Sequence, residues 1–277
     1  MDFNDGTHPE CDEGKFCEFL GIRVHFLDIP KLNRLAVQAA ADDQKMVIGN
    51  HNLHSLYVFH KDSRMRSFHD RVVKRTHVDG MGIILLGRLL GHPLGREHRV
   101  TYADWMRPLL KEASALGWRV FFVGLRAITC RRSIDIVHQM APGVEFRVAH
   151  WDLSETVERD LNEKVLKQIN LFRPQILLVG LGMPHQEAWI ADNYDRIRAN
   201  VILPCGAAMD YMVGVVPTPP RWAGHYGVEW IFRLVRQPRH LWRRYLIEPW
   251  YLLRLFCLEI IRGRPSVRSG ASVKDSL

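Results

Sequence analysis

Asp79-Gly80 follows His77-Val78 and stands directly before the apolar segment MGIILLGRLL. A carboxylate at a strand end, in a cleft, can act as a general base by taking a proton from a reacting hydroxyl. Asp79 could instead cap the helix that follows, and a capping carboxylate is held ionised and makes a poorer base. A second group is Gly180-Leu181-Gly182-Met183-Pro184-His185-Gln186-Glu187. Its glycines would let backbone amides approach a phosphate at a helix N-terminus, and Pro184 suits a first helical turn. A tight turn accounts for the same glycines without any ligand. Glu187 in that turn could be a structural acid that complements the helix dipole, and Asp210 further on could be structural in the way of a cap. The third group is YGVEWIFRLVRQPRHLWRRY (226–245), where Trp230, Phe232, Trp242 and Tyr245 alternate with Arg233, Arg236, Arg239, Arg243 and Arg244. An aromatic face opposite an almost purely cationic one suits anionic phosphates, in a lipid headgroup layer or on a diphosphate ligand. A solvated arginine face on a terminal helix is the plain alternative.

These residues need a frame to bring them together, and the chain alternates apolar runs with helical segments. KMVIG (45–49) leads into HNLHSLYVFH, WRVFFVG (118–124) into TCRRSIDIVHQM, and VEFRV (144–148) into SETVERDLNEKVLKQIN, with Ser154 as an N-cap. PQILLVG (174–180) leads into PHQEAWIADNYDRI, and NVILPCG (200–206) into AAMDYMVG. This rhythm predicts an α/β fold, a Rossmann-like, largely parallel sheet with helices on both faces. Apolar runs that end in glycine read as buried parallel strands. Ligands of such sheets bind beyond the C-terminal strand ends. Gly49-Asn50, Asp79-Gly80, Gly124 and the Gly180–Glu187 group all fall there. The proline-rich PTPPRW (217–222) marks a boundary. Residues 1–20 read as a polar, disordered leader, 21–216 as the core, and 217–277 as a helical basic appendage.

Composition narrows the partners. The 277 residues are 47% hydrophobic and 25% charged, with a net charge of +8, which describes a folded protein drawn to anionic partners. Ten arginines between Arg221 and Arg268 face only Glu229, Glu248 and Glu259 in the same span, so the excess lies in the appendage. The acidic start MDFNDGTHPE lacks the character of a secretory signal. Tyr245–Ile261 is interrupted by Glu248, Pro249, Arg254 and Glu259, so a membrane contact would be peripheral. Five cysteines without metal-type spacing read as free thiols of a reducing cytoplasm. His51 and His54 could share a helix face, but no third ligand is indicated. No dinucleotide fingerprint and no recognised nucleic-acid module is present.

In order, DG (79–80), VG (123–124), GLGMPHQEAWI (180–190), CGAAMDYMVG (205–214) and GVEWIFRLVRQPRHLWRRYL (227–246) resemble the WecG/TagA/CpsF glycosyltransferases, glycosyltransferase family 26. The resemblance runs from about Val24 to Leu246. It implies an inverting, metal-independent transferase with no cofactor. Such an enzyme moves a sugar from a UDP donor to a polyprenyl-diphosphate-linked acceptor at the inner face of the bacterial plasma membrane. The sugar would be N-acetylmannosamine, its uronic acid or a glucose-type sugar. A catalytically inactive nucleotide-sugar-binding protein is the rival reading, and homo-oligomer formation is left open.

Residue by residue, the resemblance makes Asp79 the general base and Asn50 and Gln186 substrate contacts. Arg99 and Asp104 fall in a segment that reads R-V-x-G-[ST]-D in the family and RVTYAD here, so Tyr102 replaces a glycine. Gly124, Gly180, Gly182, Glu187 and Asp210 are expected around the donor, and Arg233, Arg243 and Arg244 on the diphosphates. Ile48, Leu125, His185 and Thr218 also depart from the family pattern, around the expected donor pocket.

Overall fold

A computed structural model of the chain describes residues 14–151, 158–217, 229–236 and 238–263. Six strands form one parallel sheet in the order β4-β3-β8-β7-β5-β6. They are β3 (Met46–His51), β4 (Val73–Val78), β5 (Arg119–Gly124), β6 (Glu145–His150), β7 (Ile176–Gly180) and β8 (Val201–Pro204). A separate antiparallel hairpin precedes them, β1 (Phe16–Phe19) and β2 (Ile22–His25).

Side chains of a strand alternate between faces, and the sheet uses both. Val120, Phe122, Ile176, Leu178, Val201 and Leu203 pack under α1 (Ile29–Ala41), α5 (Tyr102–Ala115), α6 (Ala127–Met140) and α9 (Ala208–Met212). The intervening Phe121, Val123, Leu177, Val179 and Ile202 pack on the other face, against α3 (Ser63–Arg71), α7 (Glu158–Phe172) and α8 (His185–Asn193). Strands covered on both sides must be apolar throughout, which explains the uninterrupted runs in the sequence. The expected Rossmann-like α/β architecture is therefore present.

A third core lies at one sheet edge. It joins the hairpin to α2 (Leu53–Lys61), α4 (Met81–Leu89) and Leu252 of the C-terminal helix. The exposed N–H groups of an edge strand invite unwanted pairing. Here the Thr76 N–H of β4 donates to His25 Nδ1 at 3.1 Å, so the hairpin covers that edge. Cys17 and Phe19 are buried in this core. The leader was expected to run to residue 20, so β1 is a correction to that boundary. Residues 1–13 lie outside the described part.

The C-terminal segment comprises α10 (Glu229–Arg236), α11 (Pro238–Trp242), a π-helical turn (Arg243–Ile247) and α12 (Glu248–Arg262). Among the described residues no helix is long and apolar enough to cross a membrane. The expected Ser154 cap and the PTPPRW boundary beyond Pro217 lie outside the described residues.

Candidate active site

The strand ends meet on one rim. The Asp79 N–H donates to the His51 carbonyl at 2.8 Å, which carries the β3–β4 pairing past the end of β4. Val100 N–H donates to the Val78 carbonyl at 2.8 Å, and Arg99 pairs in parallel with Val78. The loop thus brings Arg99 beside the Asp79 turn. Arg99 Nη1 reaches Asp104 Oδ2 at 3.2 Å, and Thr101, the N-cap of α5, donates its hydroxyl to the same oxygen at 2.8 Å. Arg99 and Asp104 therefore form one unit at the mouth.

Asp79 does not cap α4. Gly80 holds the N-cap position with φ 106°, a conformation that glycine adopts freely, and no side chain among the described residues closes that end. The Asp79 carboxylate instead accepts from Asn52 Nδ2 at 3.3 Å. Asn52 caps α2 through a reciprocal capping box with Ser55, which fixes its side chain. Asn52 is a site residue that sequence reasoning misses, and the Asn52-Leu53-His54-Ser55 spacing is the one signal for it. His51 was expected on the same helix face as His54. It instead ends β3, and its Nδ1 pairs with Ser55 Oγ at 2.9 Å. His54 belongs to α2 and pairs with Glu248.

Gly124 and Gly180 end the neighbouring strands β5 and β7. A Cβ on Gly180 would lie 2.9 Å from the Gly206 carbonyl and 2.8 Å from the Phe122 ring, so close backbone approach demands glycine there. Gly182 adopts φ +75°. Pro184 stands at the N-cap of α8 rather than inside its first turn. Gln186 and Glu187 follow, and both are buried. Gln186 Oε1 accepts from the Gly206 N–H at 2.9 Å while its Nε2 donates to Glu187 Oε1 at 2.8 Å. The amide is a strut between the β7 and β8 loops.

Glu187 Oε2 and the Tyr102 hydroxyl are buried without a hydrogen-bond partner among the described residues. Burial raises the Glu187 carboxyl to about 7, against the opposing bond from Gln186. Burial likewise holds the Tyr102 phenol well above its ordinary range, with Cys205, Asp79 and Glu187 adding to the effect. His77 lies edge-on to Tyr102 and Trp105 at 5.5 Å each, and burial lowers it to about 4 despite the nearby Asp79 charge. A buried polar cluster thus underlies the rim, and Tyr102 occupies it where the resembled family has a glycine. Asn50 is buried at the end of β3. Ile48, another departure, lies wholly within the core.

Asp210 begins α9. It accepts from the Thr129 hydroxyl and lies 3.7 Å from Arg126 Nε, so it ties α9 to the start of α6. Arg126 and Thr129 were not anticipated. Arg243 lies over the Trp242 ring at 5.3 Å and Arg244 over Tyr245 at 5.8 Å. The side chains of Trp230 and Arg233 lie outside the described part. Tyr251, within the Tyr245–Ile261 segment, does not face outward freely. It packs edge-on against Tyr57 at 5.4 Å, with Lys61 Nζ 4.1 Å from its centroid.

A parallel α/β sheet thus gathers a basic loop, a carboxylate and glycine turns at its C-terminal rim, where such sheets bind their ligands. A family model described as the glycosyl transferase WecG/TagA/CpsF family matches residues 17–266. The chain belongs to that family. A Bacillus spizizenii protein named N-acetylglucosaminyldiphosphoundecaprenol N-acetyl-beta-D-mannosaminyltransferase is 29% identical over 187 residues, 68% of this chain and 70% of its own length. Proteins of the same name from Staphylococcus aureus and Bacillus subtilis are 27% and 28% identical, over 60% and 63% of this chain. The matches span 61% and 65% of those two relatives.

Proposed function

We propose that the protein transfers an N-acetylmannosamine-type sugar from a UDP donor to a polyprenyl-diphosphate-linked N-acetylglucosamine, with inversion and without a metal. The relatives' names supply the sugar and the acceptor. The family-level resemblance supplies the donor and the stereochemistry. One observation carries the mechanism: the Asp79 carboxylate is held by Asn52 at the strand-end rim and is not used as a helix cap.

In this reading the acceptor hydroxyl oxygen attacks the anomeric carbon from the side opposite UDP. The bond from that carbon to the diphosphate oxygen breaks, UDP leaves with the electron pair, and Asp79 takes the hydroxyl proton. Negative charge grows on the leaving diphosphate. Many UDP-sugar enzymes balance it with a divalent cation held by a D-x-D triplet, which this sequence lacks. Arg99 and the arginines of the C-terminal segment are suited to that role, since a guanidinium pairs bidentately with phosphate. Other arginines of that segment, Arg236, Arg239 and Arg254 among them, would meet anionic lipid, making the protein peripheral on the inner face of the plasma membrane, with residues 217–277 as the docking module.

The test is transfer from a panel of UDP-sugars to a polyprenyl-diphosphate-linked N-acetylglucosamine, in excess EDTA. Transfer from UDP-N-acetylmannosamine is expected to persist under chelation. Transfer abolished by EDTA and restored by Mg²⁺ or Mn²⁺ would assign charge balance to a metal. Donor binding without turnover on any acceptor would favour the rival, a nucleotide-sugar-binding protein.

A further inference from the structure

Between α4 and α12 runs a groove of about 500 Å³. Leu53, Leu85, Leu86, Leu89, Trp250 and Leu253 form most of its wall, and no charged side chain among the described residues lines it. Four of these are strongly exposed: Leu85 at 52%, Leu89 at 70%, Trp250 at 73% and Leu253 at 50%. On α4 the lining residues Gly82, Leu85, Leu86 and Leu89 recur at helical spacing, so one whole face is apolar. Water-facing apolar surface of this extent costs free energy unless something covers it.

Where the groove begins points to its occupant. Leu53 follows Asn52, which holds Asp79, and Gly82 lies three residues beyond Asp79. A Cβ on Gly82 would fall 2.6 Å from the Leu53 side chain, so the missing side chain lets α2 and α4 touch there. The inner end of the groove thus abuts the proposed catalytic carboxylate. From there α4 supplies a wall roughly 13 Å long, nine residues at helical rise. The other wall is fixed at the same end. Glu248, the first residue of α12, pairs with His54 of α2 at 2.8 Å. The π turn bearing Arg243 and Arg244 therefore enters at that end. A carboxylate, a cation-bearing turn and a hydrocarbon-lined channel thus converge at one end of the groove, the three chemistries that a sugar, a diphosphate and an isoprenoid chain require.

We propose that this groove binds the first isoprene units of the acceptor's lipid chain, drawing them out of the bilayer so that the sugar reaches Asp79. The proposal rests on the reading of the acceptor as polyprenyl-diphosphate-linked. Its test uses the full-length protein without membranes. Two water-soluble acceptors carry N-acetylglucosamine diphosphate on a five-carbon or a twenty-carbon isoprenyl chain, below micelle-forming concentration. Each methylene removed from water strengthens binding several-fold, so KM for the longer chain should be lower by at least about tenfold. The Leu85→Gln/Leu253→Gln double variant should reduce that ratio to below about threefold. Leu171→Gln, an exposed leucine on α7, should leave the ratio as in wild type.

Equal KM values for the two chains in the wild type would overturn the groove assignment and leave the proposed activity standing. No transfer to either acceptor would overturn the activity, and the groove is then judged by tryptophan fluorescence with geranylgeranyl diphosphate. A change that saturates, and that Trp250→Phe abolishes, supports the groove. A change produced by phosphatidylglycerol vesicles but not by the diphosphate assigns the face to the bilayer and overturns it. A dimer that the double variant dissociates and the diphosphate leaves intact assigns the face to a second copy, which overturns it equally.

Discussion

At the strand ends, the buried Gln186 and Glu187 side chains and the half-buried Gly206 N–H are joined by short bonds. From Trp242 onward the balance reverses, and Trp242, Leu246, Ile247, Trp250, Leu253, Ile260 and Ile261 all face outward. Preorganised dipoles in a water-poor pocket cost no reorganisation when charge develops, which suits a reaction centre. Exposed apolar rings among arginines are costly alone and gain only when a lipid surface or chain covers them. The rim thus holds its geometry by itself, whereas the C-terminal segment holds one end and leaves the rest for a partner. The held end is the His54–Glu248 pair together with the buried Leu252.

The contrast can be broken from either side. The largest expected effect is on the buried histidines at and beneath the sheet edge. Burial lowers His25 and His69 to about 3 and His77 to about 4. Histidine in the unfolded chain titrates near 6.5, so the stability these residues confer is complete above that pH and is lost as pH falls towards 4. The slope approaches about 1.4 kcal/mol per pH unit for each histidine, so acidification from pH 6.5 to 5 should remove several kcal/mol. Glu187 acts in the opposite sense. Its carboxyl is raised to about 7, so its contribution is complete below about 4.5 and fades as pH rises through 7. Denaturant unfolding at pH 5, 6.5 and 8 should give the highest midpoint at the middle value. A midpoint unchanged from 6.5 to 5 would mean that the histidines are solvated.

Next in size is Gln186→Ala. It strands the Gly206 N–H and removes one of the bonds to Glu187, a loss of about 1–3 kcal/mol for buried polar groups. Calorimetry should show a lowered Tm, with KM for the donor rising because the β7 and β8 loops are no longer tied. His54→Ala should cost less, about 1–2 kcal/mol, because the pair with Glu248 is only partly buried. Hydrogen exchange should quicken within residues 248–262 and stay unchanged in the sheet. Exchange altered equally everywhere would show that α12 is not a separable unit. The smallest effect belongs to the exposed arginines. Neutralising Arg236, Arg239 or Arg254 should weaken binding to anionic liposomes by about 1 kcal/mol each, in a salt-dependent way. Binding that is indifferent to both salt and charge would leave the contact purely apolar.

The contrast also marks what the sequence could reveal. The sheet was legible because strands covered on both faces must be apolar throughout, as in VFFVG and ILLVG. The placing of Asp79, Asn50, Gly124 and Gly180 at strand ends could be read because apolar runs show where strands stop. The hairpin was missed because its first strand, in which buried Cys17 and Phe19 alternate with half-buried Phe16 and Glu18, spans only four positions directly after a polar stretch. Asn52 and Arg126 were missed for a different reason. Their partners, Asp79 and Asp210, lie 27 and 84 residues away, and no local spacing encodes such a contact. The groove escaped for the same reason, since α4 reads as an apolar helix and α12 as part of a basic appendage until they are set side by side. Tyr102 could be read as a departure from the family pattern, but its burial against His77 and Trp105 depends on the fold.

The central claim is that Asp79 is the base at a rim built for sugar transfer. Its most direct test is kcat for Asp79→Asn with UDP-N-acetylmannosamine and a polyprenyl-diphosphate-linked N-acetylglucosamine, both saturating. The substitution preserves shape and can still meet Asn52. The account predicts an unchanged circular dichroism spectrum and Tm, unchanged UDP binding, and kcat lower by about 10²–10⁴-fold. A folded Asp79→Asn protein that turns over at the wild-type rate would contradict it.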